Sequence, residues 1–158
     1  MTDAFRGSEE VEMGTKVREV MTARPLCVTP DTALSHVAEL MESDDIGAIP
    51  VVEGDQLTGM VTDRDIVIRA IAKGKDPRGM PVREIYTRDV LAVTPDDDLA
   101  DVLKMMAGRQ VRRVAVVDRE NRVVGVVSQA DVALEAKEKA VGQMVEEISR
   151  PPEGPRQL

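Results

Sequence analysis

Aromatic side chains are almost absent from the chain. Its 158 residues include one tyrosine, one phenylalanine and no tryptophan. Proteins that bind single-stranded nucleic acid stack the bases on aromatic rings, so the residues for that mode of binding are missing. The net charge of −8 also argues against general binding to nucleic acid or to an anionic membrane surface. We therefore expect neither kind of partner.

Cysteine and histidine each occur once. A single cysteine, Cys27, excludes an intramolecular disulfide, and we expect it to be a buried strand thiol rather than a reactive one. His36 has no second His or Cys at ligand spacing, so we expect no metal site. No Ser/His/Asp or Cys/His arrangement suggests nucleophilic catalysis. The chain is therefore predicted not to be an enzyme.

Long apolar runs are missing as well. None approaches the ~18 residues of a membrane span, and the acidic N-terminal segment lacks a signal-peptide pattern, so we expect a cytoplasmic protein. Hydrophobic residues nevertheless make up 42% of the chain. Its core must consist of aliphatic side chains and methionine.

What the chain does contain is an internal repeat. Val-Arg-Glu at Val17–Glu19 recurs at Val82–Glu84, and Val-Thr-Pro-Asp at Val28–Asp31 recurs at Val93–Asp96. A unit of roughly 60 residues has a marginal core when alone, so we expect the two units to bury surface against each other. Two related units can pack about a pseudo-twofold axis, which creates clefts between them.

Glycine, proline and apolar periodicity divide the chain into segments. The predicted division is a disordered tail (1–15), repeat one (16–74), a linker (75–81), repeat two (82–140), and a helix end with a flexible tail (141–158).

Each repeat is predicted to have the order β-α-β-β-α, which makes the fold class α/β. In repeat one the expected elements are a strand (26–28), a helix from residue 34 capped by Asp31 or Thr32, two strands (49–52, 56–61) and a helix (63 to about 73). In repeat two they are a strand (91–93), a helix (97–107), two strands (114–117, 123–127) and a helix from about 129 towards 148.

A polar corner closes each repeat, where the last strand meets the last helix. Thr62-x-x-Asp65 in repeat one is matched by Ser128-x-x-Asp131 in repeat two. One interpretation is a helix N-cap, since hydroxyls and carboxylates satisfy the free amides of a first turn. The other is a nucleoside site, in which the hydroxyl and free N–H groups face a phosphate and the carboxylate binds ribose hydroxyls. Two such corners favour the nucleoside site.

These corners, at Gly59–Asp65 and Gly125–Asp131, follow the pattern Gly-h-h-[Ser/Thr]-x-x-Asp, where h is hydrophobic. Together with the repeated Thr-Pro-Asp segment they make the chain resemble a pair of cystathionine-β-synthase-type (CBS) domains, also called a Bateman module. The resemblance covers about 17 to 134. It extends to small stand-alone CBS-pair proteins through Asp44–Pro50, Thr62–Ile68 and Gln110–Val114.

The resemblance implies two clefts, each of which takes its ribose-binding aspartate from one repeat and its base-binding strands from the other. The first cleft would comprise Thr62, Asp65, Thr87, Arg88, Val90, Leu91, Arg112, Arg113, Val114 and Ala115. The second would comprise Thr22, Leu26, Gly47, Ala48, Ile49, Pro50, Ser128 and Asp131.

The clefts are expected to differ in strength. Arg112 and Arg113 stand where family members often carry a phosphate-contacting pair, whereas Gly47 and Ala48 stand at the equivalent positions of repeat one. A phosphate without paired donors gains little after desolvation, so the second cleft should be the weaker. The alternative for the two arginines is a solvated surface pair, and alternation along a strand would point only one of them at a given face.

The resemblance implies a non-enzymatic regulatory module that binds an adenine nucleotide and forms a homodimer, with no obligatory cofactor. It would signal by a shift in the packing of its repeats, with 132–148 as the output segment towards an effector protein. Two alternatives stay open: a dimeric scaffold that docks onto a partner and has vestigial clefts, and a sensor of S-adenosylmethionine or another adenosine ligand.

Overall fold

The structure is a computed structural model that describes residues 14–135. The helices are α1 (Leu34–Asp44), α2 (Asp63–Asp65, continued as a π-helix over Ile66–Ile71), α3 (Leu99–Arg109) and α4 (residues 129–135). The strands are β1 (Thr22–Ala23), β2 (Ala48–Glu53), β3 (Gln56–Thr62), β4 (Ala92–Val93), β5 (Arg113–Val117) and β6 (Val123–Ser128). The predicted α/β class is therefore confirmed.

The two halves build their sheets on the same plan. One sheet has the order β1-β6-β5-β4, with β4 parallel to β5 and the other pairs antiparallel. The other is the antiparallel pair β2-β3, which is extended by single bridges from Thr87 to Met60 and from Val28 to Val51. Thr87 therefore stands against β3 as Thr22 of β1 stands against β6. In both cases a segment of one repeat adds to the sheet of the other.

The repeats exchange their N-terminal segments reciprocally. Val17, near the start of repeat one, is fully buried in the core of repeat two. Val82, Ile85 and Tyr86, from the start of repeat two, are buried in the core of repeat one. Each hydrophobic core is thus completed by the other half of the chain.

The repeated sequence motifs form the contacts of this exchange. Arg18 pairs with Asp96, and its N–H donates to the Pro95 carbonyl (3.1 Å). The equivalent Arg83 pairs with Asp31, and its N–H donates to the Pro30 carbonyl (2.9 Å). The Val-Arg-Glu motif of one repeat therefore binds the Thr-Pro-Asp motif of the other, which explains why both motifs occur twice.

Several predicted boundaries are wrong. Residues 26–28 do not form a strand: Val28 makes one bridge, through hydrogen bonds to Pro50 and Val52 (3.0 and 2.8 Å), while the strand of this region lies earlier, at β1. Neither Asp31 nor Thr32 caps α1, which begins after Ala33 without a side-chain cap. Asp31 binds Arg83 instead, and the Thr32 hydroxyl accepts the Thr29 N–H (3.1 Å).

The remaining helices also differ from the prediction at their ends. α2 was expected to reach about residue 73 as an α-helix, but it changes to a π-helix after Asp65 and ends at Ile71. α3 begins two residues later than expected, after Asp98. The predicted helix from residue 129 is present as far as residue 135. Its continuation towards 148 and the tail predicted from 141 lie outside the described residues, as do positions 1–13.

Candidate functional site

Both polar corners form reciprocal helix caps. The Asp65 N–H donates to the Thr62 hydroxyl (3.0 Å), and the Thr62 N–H donates to Oδ2 of Asp65 (3.0 Å). The Asp131 N–H donates to the Ser128 hydroxyl (3.0 Å), and the Ser128 N–H donates to Oδ2 of Asp131 (3.4 Å). The capping interpretation is confirmed at both corners. The cap uses only Oδ2 of each aspartate, so the other carboxylate oxygen, Oδ1, can make a different contact.

That second oxygen distinguishes the two corners. Oδ1 of Asp65 lies 3.6 Å from Nε of Arg69, one turn along α2, and the Asp65 side chain is only 12% exposed. Arg69 also donates from Nη1 to the Ile85 carbonyl (3.1 Å). The residue equivalent to Arg69 in repeat two is Glu135, whose negative charge cannot neutralise Asp131. A cation of the same helix therefore pairs with the aspartate of the first corner, whereas the equivalent position at the second corner is acidic.

A cavity of about 510 Å³ opens between the repeats at the Ser128–Asp131 corner. Repeat one contributes β1, the loop that follows it, and the turn between α1 and β2; repeat two contributes β5, β6 and α4. Its lining residues are Thr22, Arg24, Pro25, Leu26, Asp44, Asp45, Ile46, Gly47, Ala48, Arg113, Val126, Ser128 and Asp131. The volume falls within the range of small-molecule sites, roughly 300–1,000 Å³.

Most residues predicted for the second cleft line this cavity: Thr22, Leu26, Gly47, Ala48, Ser128 and Asp131. Ile49 and Pro50 do not. Ile49 is fully buried in the core of repeat one, and the Pro50 carbonyl accepts the Val28 N–H.

The expectation that the second cleft lacks cations is wrong, because Arg24 and Arg113 both line it. Gly47 makes room for this. A Cβ at that position would lie 3.0 Å from Oδ2 of Asp63 and 3.4 Å from Nη2 of Arg113. Arg113, the first residue of β5, is paired with Ser128 of β6, so its side chain lines the cavity at the corner of its own repeat and lies beside Gly47 of the other. A comparison of equivalent positions in the two repeats could not predict these two arginines, because the cavity is lined by side chains from both repeats.

Arg112 and Arg113 line different cavities, as strand alternation predicts. Arg112 lines a separate cavity of about 220 Å³ beside α3, with Gln110 and Gln129 among its other residues. The two arginines therefore do not line a common cavity among those described.

The other residues predicted for the first cleft are divided among several environments. Thr87 is hydrogen-bonded to Met60 of β3 (2.9 and 3.0 Å), which brings it to the strand that ends at Thr62. Arg88 lies over the Tyr86 ring, 5.2 Å from its centroid. Val90 packs against Ala115 and its neighbours between the repeats, whereas Leu91 and Val114 belong to the core of repeat two.

Arg24 is one of the cavity residues that the sequence did not indicate. Its backbone is left-handed, with φ of 51°, a conformation that is uncommon for any residue other than glycine. No residue pattern around Arg24 signals that conformation or its direction, so only the structure identifies it.

Cys27 lies beside a different cavity, with Asp55, Asp118 and Arg122. It is half-buried rather than buried, and it stands just before the Val28 bridge rather than in a strand. Burial, with a smaller contribution from Asp55, raises the pKa of its thiol, which lowers the thiolate fraction at neutral pH.

Within residues 14–135, no group of three or more His, Cys, Asp or Glu side chains is arranged to hold a metal ion. In the same part of the chain, no helix is long and apolar enough to cross a membrane.

The fold and cavity define a tandem pair of α/β repeats with a ligand-sized cleft between them. The sequence model of the CBS-domain family matches residues 17–71 and 82–138. The chain therefore belongs to the CBS-domain family and contains a pair of CBS domains. CBS pairs of this kind are typically regulatory modules.

Relatives support the same assignment. The chain is 38% identical to Hypoxic response protein 1 of Mycobacterium tuberculosis over 138 residues, which is 87% of this chain and 96% of that protein. It is 37% identical to the CBS domain-containing protein YhcV of Bacillus subtilis, covering 84% of this chain and 94% of the relative.

Solved structures agree on the fold. A crystal structure of Hypoxic Response Protein I with two coordinated zinc ions superposes with a TM-score of 0.69 at 37% identity, covering 76% of this chain and 98% of that one. The CBS domain pair of protein MJ0100, in complex with 5′-methylthioadenosine and S-adenosyl-L-methionine, gives a TM-score of 0.72 at 26% identity. It covers 79% of this chain and 98% of its own.

Proposed function

We propose that this CBS pair is a non-enzymatic regulatory module that binds an adenine nucleotide or a closely related adenosine ligand between its repeats. The observation that carries the proposal is the 510 Å³ cavity, which both repeats line and which combines a carboxylate, a hydroxyl, apolar side chains and two arginines. This combination matches the parts of a nucleotide: a ribose, a flat apolar base and an anionic 5′ group. The adenosine ligands of the MJ0100 pair support the same ligand class.

The chemistry can be assigned group by group. Oδ1 of Asp131 makes no hydrogen bond or ion pair with another residue of the described segment, so it is available to accept ribose hydroxyls. Leu26, Ile46 and Val126 would cover the faces of the base. Arg24 and Arg113 are the groups that can meet an anionic 5′ substituent, because guanidinium groups form paired hydrogen bonds with phosphate or carboxylate.

We rank this second cleft above the first, which reverses the order expected from the sequence. Both oxygens of Asp65 are engaged, one by the Thr62 N–H and one by Arg69. A ribose at that corner would have to displace Arg69. The first cleft remains a weaker proposed site, built on Thr62, Asp65 and Thr87.

The regulatory step we propose is a population shift. A ligand that touches both repeats stabilises the arrangement in which they form the cavity, by as much as its affinity for that arrangement exceeds its affinity for others. α4 begins at the Ser128–Asp131 corner, so it is the described element through which occupancy would reach an effector protein.

We propose further that the chain forms a homodimer. Val67, Ile68 and Ile71 of α2 are 51%, 45% and 56% exposed, and Leu134 of α4 is 57% exposed. Ile68 and Leu134 occupy equivalent positions in the two repeats. Large apolar side chains grouped on exposed helices mark surfaces that bind another protein, and a second copy would cover both helices symmetrically.

The test is thermal unfolding with AMP, ADP, ATP, NADH, 5′-methylthioadenosine and S-adenosylmethionine. A ligand at about 100 times its dissociation constant should add about 2.7 kcal/mol to the free energy of unfolding. Asp131→Asn should abolish the shift, and the matched Asp65→Asn should preserve most of it. If no ligand shifts the transition, the sensor proposal fails and the scaffold alternative is favoured. If Asp65→Asn has the larger effect, our ranking of the clefts is wrong.

A further inference from the structure

Arg24 has an unusual backbone for a residue of its type. With φ at 51°, it is in the left-handed region, where side chains with a Cβ are disfavoured and where retained strain often accompanies function. Its N–H donates to the Val124 carbonyl (3.2 Å), so pairing with repeat two holds the backbone in place. The equivalent residue of the other repeat, Asp89, does not have a positive φ.

Arg24 makes no ion pair with another residue of the part of the chain that the structure describes. Arg24 and Arg113 form no ion pair within residues 14–135, whereas five other arginines of that part do: Arg18, Arg69, Arg78, Arg83 and Arg122. Two guanidinium groups that line one cavity repel each other unless an anion lies between them. Their arrangement therefore suits an anionic group of a ligand.

The opposite cleft carries the opposite charge at this position. Arg24 follows the Thr22 segment that pairs with β6, and Asp89 follows the Thr87 segment that pairs with β3. Asp89 is exposed, and its charge is unsuited to binding an anion beside the first corner. The two clefts are thus distinguished by a reversal of sign that affects the anionic end of a ligand.

We propose that Arg24 is the residue that selects an anionic 5′ group, acting with Arg113 as the anion-binding end of the cavity. This inference rests on the proposed binding of an adenosine ligand there. Asp44, Asp45 and Asp131 line the same cavity, so three carboxylates face two guanidinium groups and an anion of high charge would be repelled. The site therefore takes an adenosine ligand with one anionic group, a phosphate or a carboxylate, in preference to a triphosphate.

Isothermal titration with adenosine, AMP, ATP and S-adenosylmethionine tests the proposal. The wild type should bind AMP more tightly than adenosine and ATP. Arg24→Ala should weaken AMP binding by about tenfold to a hundredfold, the range for a lost hydrogen bond to a charged group, and leave adenosine binding unchanged. S-adenosylmethionine carries a carboxylate where AMP carries a phosphate. Whichever of these two ligands loses more affinity in Arg24→Ala therefore identifies the anionic group that Arg24 recognises.

Two control variants distinguish the loss of the Arg24 guanidinium group from a general loss of positive charge. Arg119→Ala removes an exposed arginine that lies outside the cavity, in the turn between β5 and β6, and should leave every affinity unchanged. Arg24→Lys keeps the charge but loses the planar fork, so it should recover part of the AMP affinity. Thermal unfolding of each variant confirms that it is folded.

The outcomes separate this inference from the proposed function. Adenosine and AMP could both bind, with Arg24→Ala weakening the two ligands equally or leaving both affinities unchanged. Arg24 would then not select the anion, and only the present inference would be overturned. Tighter binding of ATP than of AMP would also overturn it. If no adenosine ligand binds the wild type, both proposals fall.

Discussion

Gly59 and Gly125 are equivalent residues at which the exchanged segment of one repeat crosses a strand of the other. A Cβ on Gly59 would overlap the Thr87 carbonyl oxygen and come within 2.6 Å of the Tyr86 ring. A Cβ on Gly125 would come within 2.6 Å of Sδ of Met21 and 3.1 Å of the Thr22 carbonyl oxygen. A methionine sulfur can move aside more easily than a backbone carbonyl. The two glycines are therefore equivalent in position but not in the cost of replacement.

Gly59→Ala should lower the free energy of unfolding by about 1–3 kcal/mol, the range for overpacking, and Gly125→Ala should lower it by less. Urea denaturation of the two variants measures both values. Gly108→Ala is the matched control: this residue lies in α3, where a Cβ meets nothing within 4 Å, so alanine should be neutral or stabilising by up to about 1 kcal/mol. Equal effects at Gly59 and Gly108 would contradict the close approach.

Residues whose role depends on local sequence were predictable, and those whose role depends on the other repeat were not. Thr62, Asp65, Ser128 and Asp131 were found because a cap needs only four consecutive positions. Arg113 was predicted for the first cleft, but its side chain lines the cavity of the second, beside Gly47, a residue distant in sequence. The packing of the two repeats determines which cleft the Arg113 side chain lines, and the sequence pattern of one repeat does not contain that information.

At the scale of elements, α2 is the helix that ties the first corner to the start of repeat two. Arg69, on its π-helical turn, connects Asp65 of its own helix with the Ile85 carbonyl. Wide turns of this kind are rare and frequently occur at functional sites. Here the connection joins the polar corner of one repeat to the segment that completes its core.

Removing this connection should destabilise the fold. Arg69→Ala loses a hydrogen bond worth about 0.5–1.5 kcal/mol, while the half-exposed ion pair adds at most about 1 kcal/mol. Chemical denaturation of Arg69→Ala should show a loss of this size, and it should shrink at high salt as the ion pair is screened.

Arg64→Ala is the control for this prediction, since Arg64 is an exposed residue of α2 without an ion pair in the described segment, and it should change stability little. An equal loss in the two variants would mean that Arg69 acts only through helix propensity.

The prediction of elements succeeded where apolar periodicity was strong. β2, β3, β5 and β6 were expected within one residue of their observed ends, because a buried strand is a compact apolar run. β1 was missed because Thr22 and Ala23 are exposed and become a strand only by pairing with β6. β1 therefore forms only because a strand of the other repeat pairs with it.

The whole molecule has two cores, each of which needs a segment from both repeats. Val17 in one core and Val82 in the other are fully buried, so separating the repeats would expose apolar surface on both sides. The segment that carries Thr22 of the cavity also carries Val17 of the core, so a ligand bound as we propose would affect the packing of the repeats.

The apolar surface of α2 and α4 provides the last prediction at this scale. If it is the homodimer interface, the wild type should sediment as a dimer, and Ile68→Asp should raise the dimer dissociation constant by at least about thirtyfold, because a central apolar contact contributes 2 kcal/mol or more. Lys104→Asp, which adds negative charge to an exposed position of α3 and leaves the apolar residues of α2 and α4 unchanged, should remain dimeric. A monomeric wild type, or equal association of the two variants, would contradict the proposal that a second copy covers this surface.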